Sequence, residues 1–134
     1  SVTGVQTCAL PICLISDVPK LVLDSIPHNN SWHLINLVNA HNNILQKAGL
    51  GSSSLRVNSI HHQSVLLKEG GPLELAAIAS DGVVEATMLK SGYGFLMQFH
   101  PELMYNQLGM EILWRAIEQK NTVMAPSCSK IFGK

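Results

Sequence analysis

A chain of 134 residues with formal net charge zero, 46% hydrophobic and 13% charged, has the composition of one ordinary domain with a buried core rather than of a disordered segment. Its 9 basic and 9 acidic residues form no basic cluster, which excludes the electrostatic footprint of a nucleic-acid binder or a polybasic membrane binder. No apolar stretch approaches bilayer-spanning length. The three cysteines, Cys8, Cys13 and Cys128, supply no disulfide framework, so a reducing, cytoplasmic setting is expected.

In chain order, the first twelve residues, SVTGVQTCALPI, back-translate in frame to a common short-read sequencing adapter, with Cys13 at the junction. The apolar run has neither a basic n-region nor an initiator Met before it, against a secretory signal. Residues 1–13 are therefore expected to be non-native, with the natural beginning of the domain upstream of Leu14. Ser25 to Ser31, with Pro27 and two Asn, reads as a loop. His33 to Val38 is apolar enough for a mostly buried strand. Asn42 is positioned to cap a short helix carrying Ile44, Leu45 and Ala48, which Gly49 and Gly51 end. Leu55 to Leu67 reads as one long strand, and Leu73 to Ala79 with Val83 to Leu89 as a hairpin around Asp81-Gly82. Phe95, Met97 and Phe99 alternate toward a strand running into His100-Pro101-Glu102. Leu108, Ile112, Leu113, Ala116 and Ile117 recur at helical spacing, predicting an amphipathic helix over about Asn106 to Gln119. Residues 121–134 read as an irregular tail.

The sharpest local feature is Gln98-Phe99-His100-Pro101-Glu102-Leu103. Pro101 fixes its own φ and keeps His100 out of helical geometry. In an extended segment residues two apart share a side, so His100 and Glu102 lie together. That is a general base with a carboxylate to hold its second nitrogen; a surface pair is the alternative. No nucleophile accompanies it. The second feature is Val57-Asn58-Ser59-Ile60-His61-His62-Gln63. On a strand Ser59, His61 and Gln63 share one face while Asn58, Ile60 and His62 share the other. Adjacent histidines there cannot both face one site, and no Cys-x-x-Cys or His-Glu-x-x-His spacing is present, so no metal site is expected.

The order VNSIHHQSV, ASDGVVEATML, GFLMQFHPEL resembles the C-terminal half of class I glutamine amidotransferase-like proteins, in particular the gamma-glutamyl hydrolase subfamily (gamma-glutamyl-gamma-aminobutyrate hydrolase-like). The resemblance runs from about Leu14, in LISDVPK, to about Ile117. It implies an α/β fold, the C-terminal half of a three-layer, flavodoxin-like domain with a mixed sheet, over residues 14–120. It also implies a Cys-His-Glu triad with His100 as base and Glu102 as its orienting partner, and no cofactor. His61, His62 and Gln63 are then candidates for contact with a small-molecule gamma-glutamyl substrate. The Asp81-Gly82 turn is explained by turn chemistry alone, and Glu85 receives no role. The family's nucleophile lies in a Gly-x-Cys-x-Gly turn that none of the three cysteines occupies. On this resemblance the parent protein hydrolyses a gamma-glutamyl amide through a thioester, the nucleophile belongs upstream of Leu14, and this chain is inactive. A glutaminase domain feeding ammonia to a synthetase, and a noncatalytic binding module, are the competing readings. The sequence specifies no oligomeric state.

Overall fold

The computed structural model describes residues 5–9, 12–38, 43–91 and 94–118. One sheet holds β1 (Val5–Ala9), β2 (Ile12–Ile15) and β5 (Ser64–Leu67) in the order β1-β2-β5. The larger holds β3 (Ser31–Leu37), β4 (Ser54–Ser59), β6 (Leu73–Ala79), β7 (Val84–Leu89) and β8 (Phe95–Met97) in the order β4-β3-β6-β7-β8. Neighbouring strands run antiparallel in both. Helix α1 (Val18–Leu21) follows β2, α2 (Ile44–Ala48) follows β3, and a 3-10 turn, Pro101–Leu103, leads to α3 over residues 107–118.

The core forms where the larger sheet meets α2 and α3. Ile35, Leu45, Val57, Ala77, Met88, Phe99 and Ile112 are buried together there. Each large side chain so buried contributes about 1.5–3 kcal/mol. A smaller cluster of Ile15, Val18, Ala79 and Val83 joins the second sheet to the β6–β7 turn.

The Asp81-Gly82 hairpin forms as expected. Gly82 takes φ +86, a conformation that carries no steric cost without a side chain, and the Asp81 carboxylate accepts from the Val83 amide at 3.2 Å. Four other expectations are corrected. Leu55 to Leu67 is not one strand: β4 ends at Ser59 and β5 begins at Ser64, because β4 pairs with β3 whereas β5 pairs with β2 in the other sheet. The segment from His33 is not mostly buried. In β3 the odd positions turn inward while Trp32 and Leu34 are exposed. The α2 cap is Asn43, whose side chain accepts from the Leu45 amide at 3.1 Å; Asn42 lies outside the described residues. Cys13 is disulfide-bonded, where the sequence offered no bridge. The tail, residues 121–134, and Cys128 lie outside the described residues.

Candidate functional site

β8 stops at Met97, three residues short of His100. Phe99 sinks into the core and Pro101 is buried at the start of the 3-10 turn, so the intervening His100 is held at both sides. Its φ of −115° and ψ of 89° are extended, and the 3-10 turn that begins at Pro101 folds Glu102 back beside its ring. The His100 Nδ1 and Glu102 Oε1 atoms are 2.8 Å apart. The hydrogen bond from His100 holds the Glu102 carboxyl below the ordinary glutamate value. With the carboxylate accepting at Nδ1, the neutral ring carries its lone pair on Nε2, the nitrogen available to take a proton. Both side chains are about half exposed.

A residue without a sequence-level role fixes this pair. Asn58, buried at the end of β4, donates through Nδ2 to the His100 carbonyl at 2.9 Å and accepts at Oδ1 from the His100 amide at 2.9 Å. The side-chain amide thus pairs with the His100 backbone as a neighbouring strand would. From the far side α3 packs so closely that a Cβ on Gly109 would lie 2.5 Å from the Pro101 carbonyl oxygen.

The loop between β4 and β5 contributes Ile60, His61, His62 and Gln63, with Leu14 and Gln98, to an open recess of about 370 Å3. His100 is not among the residues lining it. His61 and His62 part company, although the loop that holds them is not the strand on which alternation was expected to separate them. His62 is exposed, whereas the His61 side chain is only 9% exposed and donates from Nδ1 to the Gln63 carbonyl at 2.8 Å.

His61 turns inward onto a cluster that the sequence did not announce. His28 from the loop after α1, His33 from β3, His61 and Glu85 from β7 bring their ligand atoms within 4.8 Å of one another. Glu85 Oε1 lies 3.1 Å from His28 Nδ1, 3.3 Å from His33 Nε2 and 3.5 Å from His61 Nε2. Asp81 Oδ2 accepts from His28 Nε2 at 2.7 Å and from the Ile26 amide at 2.9 Å. Burial pushes the Glu85 carboxyl up, but the three imidazoles outweigh it and hold it far below the ordinary range. For His28 and His33, burial works against charge and is outweighed chiefly by Glu85, which raises both. The cluster therefore favours ionised carboxylates beside positive charge. Glu85 and His33 each stood in the sequence without a polar partner at local spacing. The only local signal was a glutamate in a strand that is apolar apart from Thr87, where a buried carboxylate needs a partner.

The Peptidase C26 family model matches residues 13–102. Among solved structures, the chain is similar to a protein from Thermoplasma acidophilum described as a GMP synthase subunit, with 20% identity and a TM-score of 0.61 over 75% of this chain and 48% of that one. It is also similar to a glutamine amido transferase from Methylobacillus flagellatus, with 16% identity and a TM-score of 0.45 over 58% of this chain and 30% of that one. No curated protein matches the chain. The chain thus spans about half the length of the first of these structures, and its fold is the α/β fold of class I glutamine amidotransferase-like domains.

Proposed function

Because the chain belongs to the Peptidase C26 family, whose model covers residues 13–102, we propose that it is the C-terminal part of a cysteine-dependent hydrolase acting on gamma-glutamyl amide bonds. The observation that carries this reading is the 2.8 Å contact between His100 Nδ1 and Glu102 Oε1. The carboxylate fixes the tautomer, and Nε2 is left to take the proton of a thiol and return it to the departing amine. His62 and Gln63 line the same recess as Gln98 and are suited to hold the polar end of the substrate.

The nucleophile is assigned to a segment upstream of Leu14, since Cys13 is disulfide-bonded and has Pro11 and Ile15 where a Gly-x-Cys-x-Gly turn has its two glycines. On its own the chain then has a base and its orienter, but none of its three cysteines stands in the glycine-flanked turn that would supply the nucleophile and the oxyanion hole. The test is hydrolysis of a gamma-glutamyl anilide by the 134-residue chain and by the same chain extended with the coding sequence that precedes Leu14 in the source DNA. The extended protein turns over and is inhibited by thiol alkylation, while the short chain falls short by roughly 10⁴-fold to 10⁶-fold, the scale of losing a triad member. His100→Ala in the extended protein abolishes turnover. Equal thiol-dependent turnover by the short chain overturns the proposal. Release of ammonia from free glutamine only in the presence of a synthetase would assign it instead to the ammonia-supplying class.

A further inference from the structure

We propose that His28, His33, His61 and Glu85 form a structural zinc site, separate from the His100–Glu102 pair. Each imidazole already uses its outer nitrogen as a donor: His28 Nε2 to the Asp81 carboxylate at 2.7 Å, His33 Nδ1 to the Leu34 carbonyl at 3.1 Å, and His61 Nδ1 to the Gln63 carbonyl at 2.8 Å. A carbonyl or an ionised carboxylate can only accept, so the outer nitrogens carry the hydrogens. In the neutral ring the inner nitrogens are then bare lone pairs. His28 Nδ1, His33 Nε2, His61 Nε2 and both Glu85 oxygens are buried, and none makes a hydrogen bond. With the three rings neutral, five acceptors converge without a donor and repel one another unless positive charge, a metal ion or a ring proton, lies among them.

The dimensions suit zinc. Bonds of about 2.0–2.1 Å in a tetrahedron place neighbouring ligand atoms roughly 3.3 Å apart; the three distances from Glu85 Oε1 are 3.1, 3.3 and 3.5 Å, and the four ligand atoms together lie within 4.8 Å of one another. Imidazole-rich sets with one carboxylate are borderline donors of the kind zinc takes. The outer hydrogen bonds are those that orient metal-bound histidines, a carboxylate on one ring and backbone carbonyls on the others. Charge balances too. Glu85 and Asp81 have fully buried side chains, and a divalent cation neutralises the two carboxylates. Four protein ligands leave no open position, which marks the site as structural rather than catalytic. It would tie the loop before β3, β3 itself, the β4–β5 loop and β7 to one point.

The test is zinc content. The full 134-residue chain, loaded with zinc and then dialysed against metal-free buffer, retains one zinc per chain, and Co2+ in its place gives the visible bands of a tetrahedral site. Zinc raises the thermal midpoint by about 5–10 °C over the chelator-treated chain. Glu85→Gln and His33→Ala lose the ion, whereas His62→Ala, altering the exposed neighbour of His61, retains it. Should a variant fail to fold, the wild-type chain decides alone. If it binds neither zinc nor Co2+ and its midpoint ignores zinc and chelator, the cluster holds protons and the proposal is overturned. Zinc retained at full stoichiometry in folded Glu85→Gln and His33→Ala also overturns it, by locating the ion elsewhere.

Discussion

Asn58 places His100 without touching its ring. Its amide makes two 2.9 Å hydrogen bonds to the His100 backbone. Asn58→Ala removes both and leaves a part-buried amide and carbonyl to find other partners. The expected loss is about 2–3 kcal/mol, measured by urea unfolding. Asn58→Asp keeps the acceptor for the His100 amide but sets a carboxylate against the His100 carbonyl, so it is expected to recover less than half of that loss. At Glu102, the hydrogen bond from His100 depresses the carboxyl pKa. A folded-state value below the unfolded one means that the stabilisation is present above the ordinary glutamate value. It is lost as pH falls through the folded value. Because the pair is exposed, the shift is best read directly, from a carbon NMR titration of the Glu102 carboxyl. In His100→Ala its midpoint is expected to move up toward the ordinary range, and a midpoint unchanged by that substitution would refute the hydrogen-bonded pair.

At the scale of elements, α3 decides how tightly the His100 segment is held. Asn106 caps it by accepting from the Gly109 amide at 2.8 Å. Gly109→Ala improves helix propensity by about 1 kcal/mol, yet the added methyl meets the Pro101 carbonyl oxygen at 2.5 Å and Met104 Cβ at 3.0 Å. Overpacking of this kind costs about 1–3 kcal/mol, and backbone on one side leaves little room to yield. Net destabilisation of about 1–2 kcal/mol by thermal unfolding is the expected outcome; a stabilised variant would show that α3 can slide away. Elements with local signals were legible in the sequence. The Asp81-Gly82 hairpin and the α3 periodicity depend on turn chemistry and a 3.6-residue repeat; His100 and Glu102 do meet, but across a 3-10 turn rather than along an extended segment. The break between β4 and β5 was not legible, since nothing local ends a strand at Ser59. It arises because the chain changes sheets. Nor was the convergence of His28, His33, His61 and Glu85, which is made by residues from four separate segments. The cap at Asn43 instead of Asn42 was a near miss between identical neighbours, settled by the two carbonyls, of Val38 and Ala76, that Asn43 Nδ2 also binds.

For the molecule as a whole, the outward face of β3 sets two large apolar side chains side by side on the surface. Trp32 and Leu34 are 43% and 58% exposed, with Arg56 of β4 reaching over the Trp32 ring at 5.8 Å. Leu34 stands opposite Arg56 in the ladder, so Leu34→Glu creates a cross-strand pair of opposite charge. It is expected to lower self-association in light scattering, with stability changed by no more than about 0.5 kcal/mol. An unchanged scattering profile would locate the adhesive surface elsewhere. Among the described residues no helix is long and apolar enough to cross a membrane.

The last two residues of β4 face opposite ways, and each serves a different place. Asn58 holds the His100 backbone, while the Ser59 hydroxyl donates to the His28 carbonyl at 2.7 Å. Strand alternation has a period of two, so losing or gaining a single codon ahead of them exchanges their directions. One such frame-preserving indel would unfasten the His100 segment and the His28 loop in the same generation. A chain that keeps both places must therefore inherit Ser54–Ser59 at fixed length, and the loop after it is constrained in turn by His61, two residues on.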